Sequence, residues 1–335
     1  MMFSVTAPSR IDLAGGTLDI FPLYVFEGGG STINMAIDLE TGADIEVRPD
    51  HRIVIRSEDL GEEVSYDSVD DIRPGGRLDL LSRAVAFFRP ECGLNVSTRS
   101  SLPKGSGLAA SSSLLVALSK GLCSVCGLEP DPHVFIDWCA NIEAAHLGIP
   151  TGKQDYYAAY FGGLSRIFFG PRGIVHENVA LSKLDARMMQ ECMVLSFTGI
   201  SHFSGTNNWD MMKRYIDDVG DTRAFMRRIR DVAERMAEVI ERRDVRAFAA
   251  VLGEEWSNRR GLAEGVSNDR IDFMISEAER AGAMASKLCG AGGGGCMLTV
   301  CPPDRRKGVE AALENAGAKV MRFNVRFRGV EVVER

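Results

Sequence analysis

Two glycine-rich segments and two carboxylate-bearing segments hold the side chains best suited to chemistry. The first glycine segment, LPKGSGLAASSSLLVAL, runs from Leu102 to Leu118. Pro103, Gly105 and Gly107 make a flexible loop there, and small residues lead directly into a helical apolar pattern. Such a loop suits an anion. Glycine lets the backbone approach, the free N–H groups of a helix start point outward, and the helix dipole adds a favourable field. Ser111, Ser112 and Ser113 place hydroxyls in the first turn, where one could ligate Mg²⁺. No Gly-Lys-Ser/Thr closes the loop, so it is not a Walker A sequence, and a plain turn before a packed helix is the competing reading.

The second glycine segment is KLCGAGGGGCMLTV, Lys287 to Val300, with five glycines between positions 290 and 295. Glycine loses the most backbone freedom on folding, so this loop has a use where backbone must lie against a ligand or another loop. A tight strand-joining turn is the alternative. The carboxylates lie in APSRIDLAGGTLD, Ala7 to Asp19, and ANIEAAHLGIPTGKQD, Ala140 to Asp155. The first holds Arg10, Asp12 and Asp19 around Gly15 and Gly16; the second carries Glu143 and Asp155. Acidic groups at the rim of a phosphate-binding loop suit phosphoryl transfer, one holding Mg²⁺ and another orienting and deprotonating an attacking hydroxyl. Each carboxylate alone reads equally as a solvated group or a helix cap.

The elements that must position these residues follow from periodicity. SVTA near Ser4, ADIEVR (43–48), RIVIR (52–56) and GLNVST (93–98) alternate as half-buried strands do. Leu114, Leu115, Leu118 and Leu122 share a helix face, and helices are expected over about 131–147 and 153–161. Strands follow at LSRIFF and CMVLSF, then a charged helical region from about 205 to 282. The chain closes with the apolar segment CMLTVC, a helix over about 304–315 and the strand-like KVMRFNVRF. Mixed order without repeated βαβ units favours an α+β fold over a doubly wound sheet. Composition shifts between residues 165 and 190, so two domains are expected, 1–180 and 181–335.

Composition narrows the class without choosing a chemistry. The 335 residues include 39 basic and 46 acidic ones, a net charge of −7, which argues against a nucleic-acid coat or an anionic-membrane binder. No stretch approaches the roughly 18 apolar residues of a spanning helix, and MMFSVTAPSR does not read as a secretory signal. The eight scattered cysteines read as reduced thiols, and a cytoplasmic location is expected. Cys123 and Cys126 form a C-x-x-C inside a predicted helix with no second pair nearby, so zinc is not expected. Glu143 and His146 sit three apart, but without a partner pair the imidazole reads as a supporting or surface group. The stretch 223–246, with eight arginines and five acidic residues, reads as a solvated helix face of mixed charge. His202, Phe203, Ser204, Gly205, Asn207, Asn208 and Trp209 read as an N-cap and loop, or alternatively as a loop of the acceptor pocket.

Taken together, the segments resemble the GHMP kinases. PKGSGLAASSS looks like that family's phosphate loop, KLCGAGGGGC like its C-terminal glycine loop and APSRIDLAGG like its N-terminal motif, in the family's order. The resemblance implies a two-domain α+β protein with an ATP-binding N-terminal domain, a C-terminal domain and the active site between them. It implies that Pro103, Gly105, Ser106, Gly107, Leu108, Ala109, Ala110, Ser111 and Ser112 bind the nucleotide, and that Ser111 and Glu143 hold Mg²⁺. Asp155 is then the base for the acceptor hydroxyl, with Arg10 beside it and the transferring phosphoryl group. Asp19, Gly16, Gly292 and Gly293 contact the acceptor, and Gly290 to Gly294 buttress the phosphate loop.

Galactokinases carry Gly-Glu-His-x-Asp in the first motif, where this chain reads Gly15-Gly16-Thr17-Leu18-Asp19, which argues away from galactose. The form R-I-D-L-A-G-G-x-x-D and TGKQDYYAAYFGG more closely resemble bacterial heptose-phosphate kinases and fucokinases. The expected reaction is therefore transfer of the γ-phosphoryl group of ATP to a hydroxyl, the anomeric one, of a sugar or sugar phosphate such as a heptose 7-phosphate. Galactokinase- or mevalonate-type activity and a catalytically silent sugar- and ATP-binding sensor are the alternatives. A dinucleotide oxidoreductase would need a third glycine where Ala110 stands. The partner is a small molecule, with no nucleic acid or membrane, and the oligomeric state is open.

Overall fold

The computed structural model describes residues 1–201 and 204–335. Its first strand, β1 (Met2–Ala14), alternates between half-buried and buried positions at first and is buried throughout from Ala7 onward. After one helical turn, α1 (Leu23–Phe26), the chain returns antiparallel to it as β2 (Gly30–Arg48). Pro8 cannot donate to the ladder, and the register shifts between Pro8 and Ser9. A hairpin, β3 (Ile53–Ser57) and β4 (Glu62–Tyr66), is followed by α2 (Asp79–Phe88) and β5 (Gly93–Ser100). Helices α3 (Ala110–Cys126), α4 (Pro132–Leu147) and α5 (Gln154–Phe161) come next, then the antiparallel pair β6 (Leu164–Gly170) and β7 (Gly173–Asn178).

The charged region supplies helices. After α6 (Lys183–Glu191) and β8 (Met193–Phe197) come α7 (Ser204–Ile216), α8 (Thr222–Glu241), α9 (Val245–Arg260) and α10 (Asp269–Arg280). The chain ends with β9 (Ala285–Leu288), β10 (Cys296–Val300), α11 (Arg306–Asn315), β11 (Lys319–Met321) and β12 (Glu331–Glu334). Among the described residues the strands form two sheets. One runs β12-β1-β2-β5-β3-β4 with β6 and β7 continuing from β2; the other runs β11-β8-β10-β9. Mixed helices and sheets in this order make an α+β fold.

Helix α3 packs Leu115, Leu118 and Leu122 into the core of the first sheet. Gly121 costs a helix interior about 1 kcal/mol against alanine. It is tolerated here because a Cβ would stand 2.6 Å from Ile45 of β2. A second core joins the two sheets. Ile11 and Leu13 of β1 and Ile33 and Met35 of β2 pack with Val232 and Met236 of α8, Leu252 of α9 and Leu298 of β10. The far half of β1 therefore runs through the centre of the molecule, between the first sheet's helices and those of the second.

The ending differs from expectation. Strand β11 stops at Met321, and the rest of KVMRFNVRF leaves its sheet to lie against β2, with Asp38 N donating to Asn324 O and Arg326 N to Ala36 O, each at 2.9 Å. Strand β12 then pairs antiparallel with β1, so the C-terminus returns to the first sheet. The residues up to Asn178 supply seven strands of the first sheet, and the second sheet lies wholly within 193–321. All eight cysteines are free thiols. No described helix is long and apolar enough to cross a membrane.

Candidate active site

Arg10 and Asp12 are two apart on β1, so both side chains leave the same face of the buried half of that strand. Arg10 Nε donates to Asp155 Oδ1 at 2.7 Å, and its Nη1 donates to Gly107 O at 2.7 Å and to Cys289 O at 3.1 Å. One guanidinium thus ties the first turn of α5 to the loop before α3 and to the residue that opens the glycine segment before β10. The rigid fork of arginine makes three such bonds possible at once. Arg10 is 6% exposed and Asp155 22%, so solvent reaches the pair from the carboxylate side. Burial works against the Arg10 charge, but Asp155 and Asp12 outweigh it and raise its pKa. Burial raises the pKa of Asp155, and Arg10 only partly opposes that.

The loop before α3 is shaped by backbone. Gly105 and Gly107 have φ near +70°, and Ala109, the residue before the helix, has φ +66°. A left-handed alanine costs about 1–2 kcal/mol, a strain typical of ligand-holding turns. Alanine offers no side chain to cap α3, so the first amides of that helix stay available to an anion. Pro103 O accepts from Ser106 N, Ser106 Oγ accepts from Leu108 N, and Leu108 O accepts from Arg10 N. The Leu108 side chain is anchored in the inter-sheet core. These residues hold the loop, whose one exposed side chain is Lys104.

The glycine segment lies against that loop. Cys296 N donates to Ser106 O at 2.6 Å. A Cβ on Gly290 would stand 3.2 Å from Gly107 Cα, and one on Gly295 2.6 Å from Ser106 O. Gly292 and Gly293 face the segment after α9 instead, with Gly293 N donating to Val266 O at 2.8 Å. Asn207 of α7 reaches the same segment, its Nδ2 donating to Ala291 O at 3.2 Å. His202 and Phe203 lie outside the described residues.

Glu143, buried on α4, accepts from Ser111 Oγ at 2.6 Å, from Ser112 Oγ at 2.8 Å and from the Tyr156 hydroxyl. Burial and the Glu143 charge push the Tyr156 phenol well above its usual range, so it stays a donor. Ser113 is turned away, bonded to Ala7 O and Thr41 Oγ1. His146 plays a supporting role away from Glu143, its Nδ1 bound to Asp79 at 2.6 Å. Asp19 accepts from Gln154 N at 2.9 Å, and burial pushes its carboxyl up to about 6. Gly16 sits between Asp12 and Gln154 and gives its carbonyl to Arg259 at 2.9 Å.

One part of the site was missed by the sequence reading. Lys287, wholly buried at the end of β9, lies 3.1 Å from Asp12 and 3.2 Å from Glu255. Arg259 binds Glu255 at 2.5 Å and approaches Asp12 at 3.7 Å. Burial alone would raise the pKa of Asp12, but Lys287, Arg259 and Arg10 hold it below the ordinary range. Glu255 and Arg259 stand four apart in α9, a spacing shared by many solvated surface pairs, and so gave no signal. A lysine inside the apolar run ASKLCGAGG was the available hint.

Fold and site together define an α+β protein with an uncapped helix start, a serine–glutamate cluster beside it and an aspartate–arginine pair close to both. Residues 79–163 match the family described as GHMP kinases N terminal domain, and residues 236–319 match GHMP kinases C terminal. The chain belongs to the GHMP kinases, and it is accordingly a small-molecule kinase, a phosphotransferase with a hydroxyl as acceptor. It is 29% identical to the D-glycero-alpha-D-manno-heptose 7-phosphate kinase of Campylobacter jejuni, over 97% of this chain and 96% of that protein. It is similar to the solved D-glycero-D-manno-heptose 1-phosphate kinase of Bacteroides thetaiotaomicron, at 27% identity, TM-score 0.81 and 99% of each chain. The Lactococcus lactis galactokinase structure shares the fold at 17% identity and TM-score 0.79, over 98% of this chain and 95% of that one. Membership implies ATP as the phosphoryl donor.

Proposed function

We propose that the chain transfers the γ-phosphoryl group of ATP to the anomeric hydroxyl of a sugar phosphate of the heptose 7-phosphate type. The observation that carries this reading is the Arg10 guanidinium, bound at once to Asp155, the phosphate loop and the start of the glycine segment. The triphosphate lies along the loop of Pro103 to Ser112, its charge met by the backbone amides of Gly105, Gly107, Ala109 and Ala110 and by the start of α3. Asp155, its carboxyl bonded to Arg10, accepts the proton of the acceptor hydroxyl. That oxygen bonds to the γ-phosphorus as the bond to the β-phosphate oxygen breaks and ADP leaves. Arg10 offsets negative charge developing on the phosphoryl oxygens, and catalysis is mainly positioning and charge neutralisation.

The donor set at the start of α3 fits Mg²⁺, a hard cation that takes oxygen ligands and usually one or two carboxylates alongside substrate phosphates. Ser111, exposed at the site, and Glu143 are the residues to hold it; Ser112 is buried behind them. When bound, the ion neutralises phosphate charge. Asp19 takes a sugar hydroxyl with Gly16 beside it, whereas Gly292 and Gly293 lie against Val266 and not on the acceptor side. The two heptose kinases among the relatives support the sugar class, and their names differ in where the heptose already carries phosphate. A panel of free sugars, sugar 1-phosphates and sugar 7-phosphates, followed by coupled ADP release, tests the proposal. Turnover restricted to acceptors with a free anomeric hydroxyl is the expected result; equal turnover on anomerically blocked sugars contradicts it.

A further inference from the structure

A cavity of about 510 Å³ opens where α1, the end of α7 and the start of α8 meet, and none of its lining residues belongs to the set around Arg10 and Asp155. Arg223, Arg227 and Arg230 line it, on one face of α8 at i, i+4 and i+7. Like charges at these spacings destabilise a helix unless something offsets them. They also run against a chain whose net charge is −7. The mixed-charge face expected over 223–246 is thus sorted by the fold, with three of its arginines gathered at one cavity.

Three carboxylates pair with two of these arginines. Glu27 lines the cavity but accepts from the Tyr215 hydroxyl at 2.6 Å and lies 3.5 Å from Arg230. Asp218 lies 3.2 Å from Arg223, and the exposed Asp231 3.2 Å from Arg230. Arg223 is fixed by the carbonyls of Tyr215 at 2.9 Å and Ile216 at 3.1 Å. Arg227 is exposed and makes no side-chain hydrogen bond or ion pair among the described residues. Arg223 and Arg230 are therefore held in place with most of their donors engaged, and it is Arg227 that keeps its donors for the fork geometry of phosphate recognition. Phe26 and Tyr215, stacked at 6.2 Å between centroids, add an apolar wall for a carbon skeleton.

We propose that this cavity binds the phosphoryl group of a phosphorylated small molecule. The group comes either from the acceptor itself or from a separate effector, and the two sources separate by experiment. The binding measurement uses the full chain with its nucleotide site filled by a non-hydrolysable ATP analogue and inorganic phosphate as the calorimetric titrant. The unmodified chain should bind phosphate, Arg227→Ala should weaken that binding about tenfold, and Arg227→Glu should abolish it. No phosphate binding by the unmodified chain, or unchanged affinity in both variants, overturns the proposal. This measurement does not depend on the chain being a sugar kinase. Kinetics then assigns the source. A tenfold higher KM for a sugar phosphate, with kcat and the KM for the free sugar unchanged, identifies the acceptor's own phosphate. Unchanged acceptor kinetics alongside lost phosphate binding identifies a separate effector.

Discussion

Buried Asp19 and partly exposed Asp155 both have carboxyls above their ordinary range, yet they show it in different measurements. Asp155 must be ionised to accept a proton. Asp155→Asn is expected to lower kcat by about 10²-fold or more while leaving the KM for ATP nearly unchanged, as initial rates would show. Because burial raises its pKa, the acidic limb of the rate profile should lie above that of an ordinary aspartate, with activity falling as pH drops through it. Asp19 shows its effect in stability. Its folded pKa of about 6 exceeds the unfolded value, so the native state holds the proton more tightly. The resulting stabilisation is complete below the unfolded pKa and is lost as pH rises through about 6. Asp19→Asn, which mimics the protonated form, should therefore be more stable at pH 7 by on the order of 3 kcal/mol, with the difference vanishing below pH 4. Urea titrations of both proteins across that range check it; a constant difference at all pH values would refute the assignment. The same variant should raise the acceptor KM if Asp19 holds a sugar hydroxyl.

At the scale of elements, two loops with little side-chain mass are locked together by backbone. Gly295 has φ +84°, and a Cβ there would stand 2.6 Å from Ser106 O. Gly295→Ala should destabilise the fold by about 1–3 kcal/mol and raise the KM for ATP, because the phosphate loop must move to accommodate it. Gly75→Ala is the control. Its φ is +89°, with nothing within 4 Å of a Cβ, so it should pay the backbone strain without touching ATP binding. Parallel measurements of KM and thermal unfolding separate the two effects. These glycines could be singled out in the sequence because five of them within six residues resist a packing explanation. Their partner could not. That Gly290 faces Gly107 and Gly295 faces Ser106 depends on β10 bringing them there.

Across the whole molecule, the buried quartet of Asp12, Lys287, Glu255 and Arg259 joins β1 to α9 and to β9 of the second sheet. Desolvation makes such a cluster a weak source of net stability, but removing one member leaves its partners charged and unpaired. Lys287→Met should cost about 3–5 kcal/mol, and adding Glu255→Gln should recover part of that loss. Chemical denaturation of both single variants and the double variant closes the cycle, and strict additivity would show that the charges do not interact. Because Arg259 also holds Gly16 O and Thr17 Oγ1, the quartet fixes the loop that leads to Asp19.

The sequence by itself determined the local chemistry. The helix start after Gly107, the glycine segment from Gly290 and the fold class are each written in short-range spacing, where periodicity and backbone preference act, whereas the extension of the first strand from SVTA through Arg10 to Ala14 was not. It also pointed to Arg10, Asp155, Ser111 and Glu143, because their motifs are contiguous. Tertiary structure alone decided which of these meet. Arg10 touches residues 97, 145 and 279 positions away in the chain, and the Asp12–Lys287 contact spans 275. It also decided that three arginines of an ordinary-looking charged helix face one cavity. Charge pairing in a desolvated interior depends on distance through space, and a linear pattern contains no such distance until the two sheets have packed.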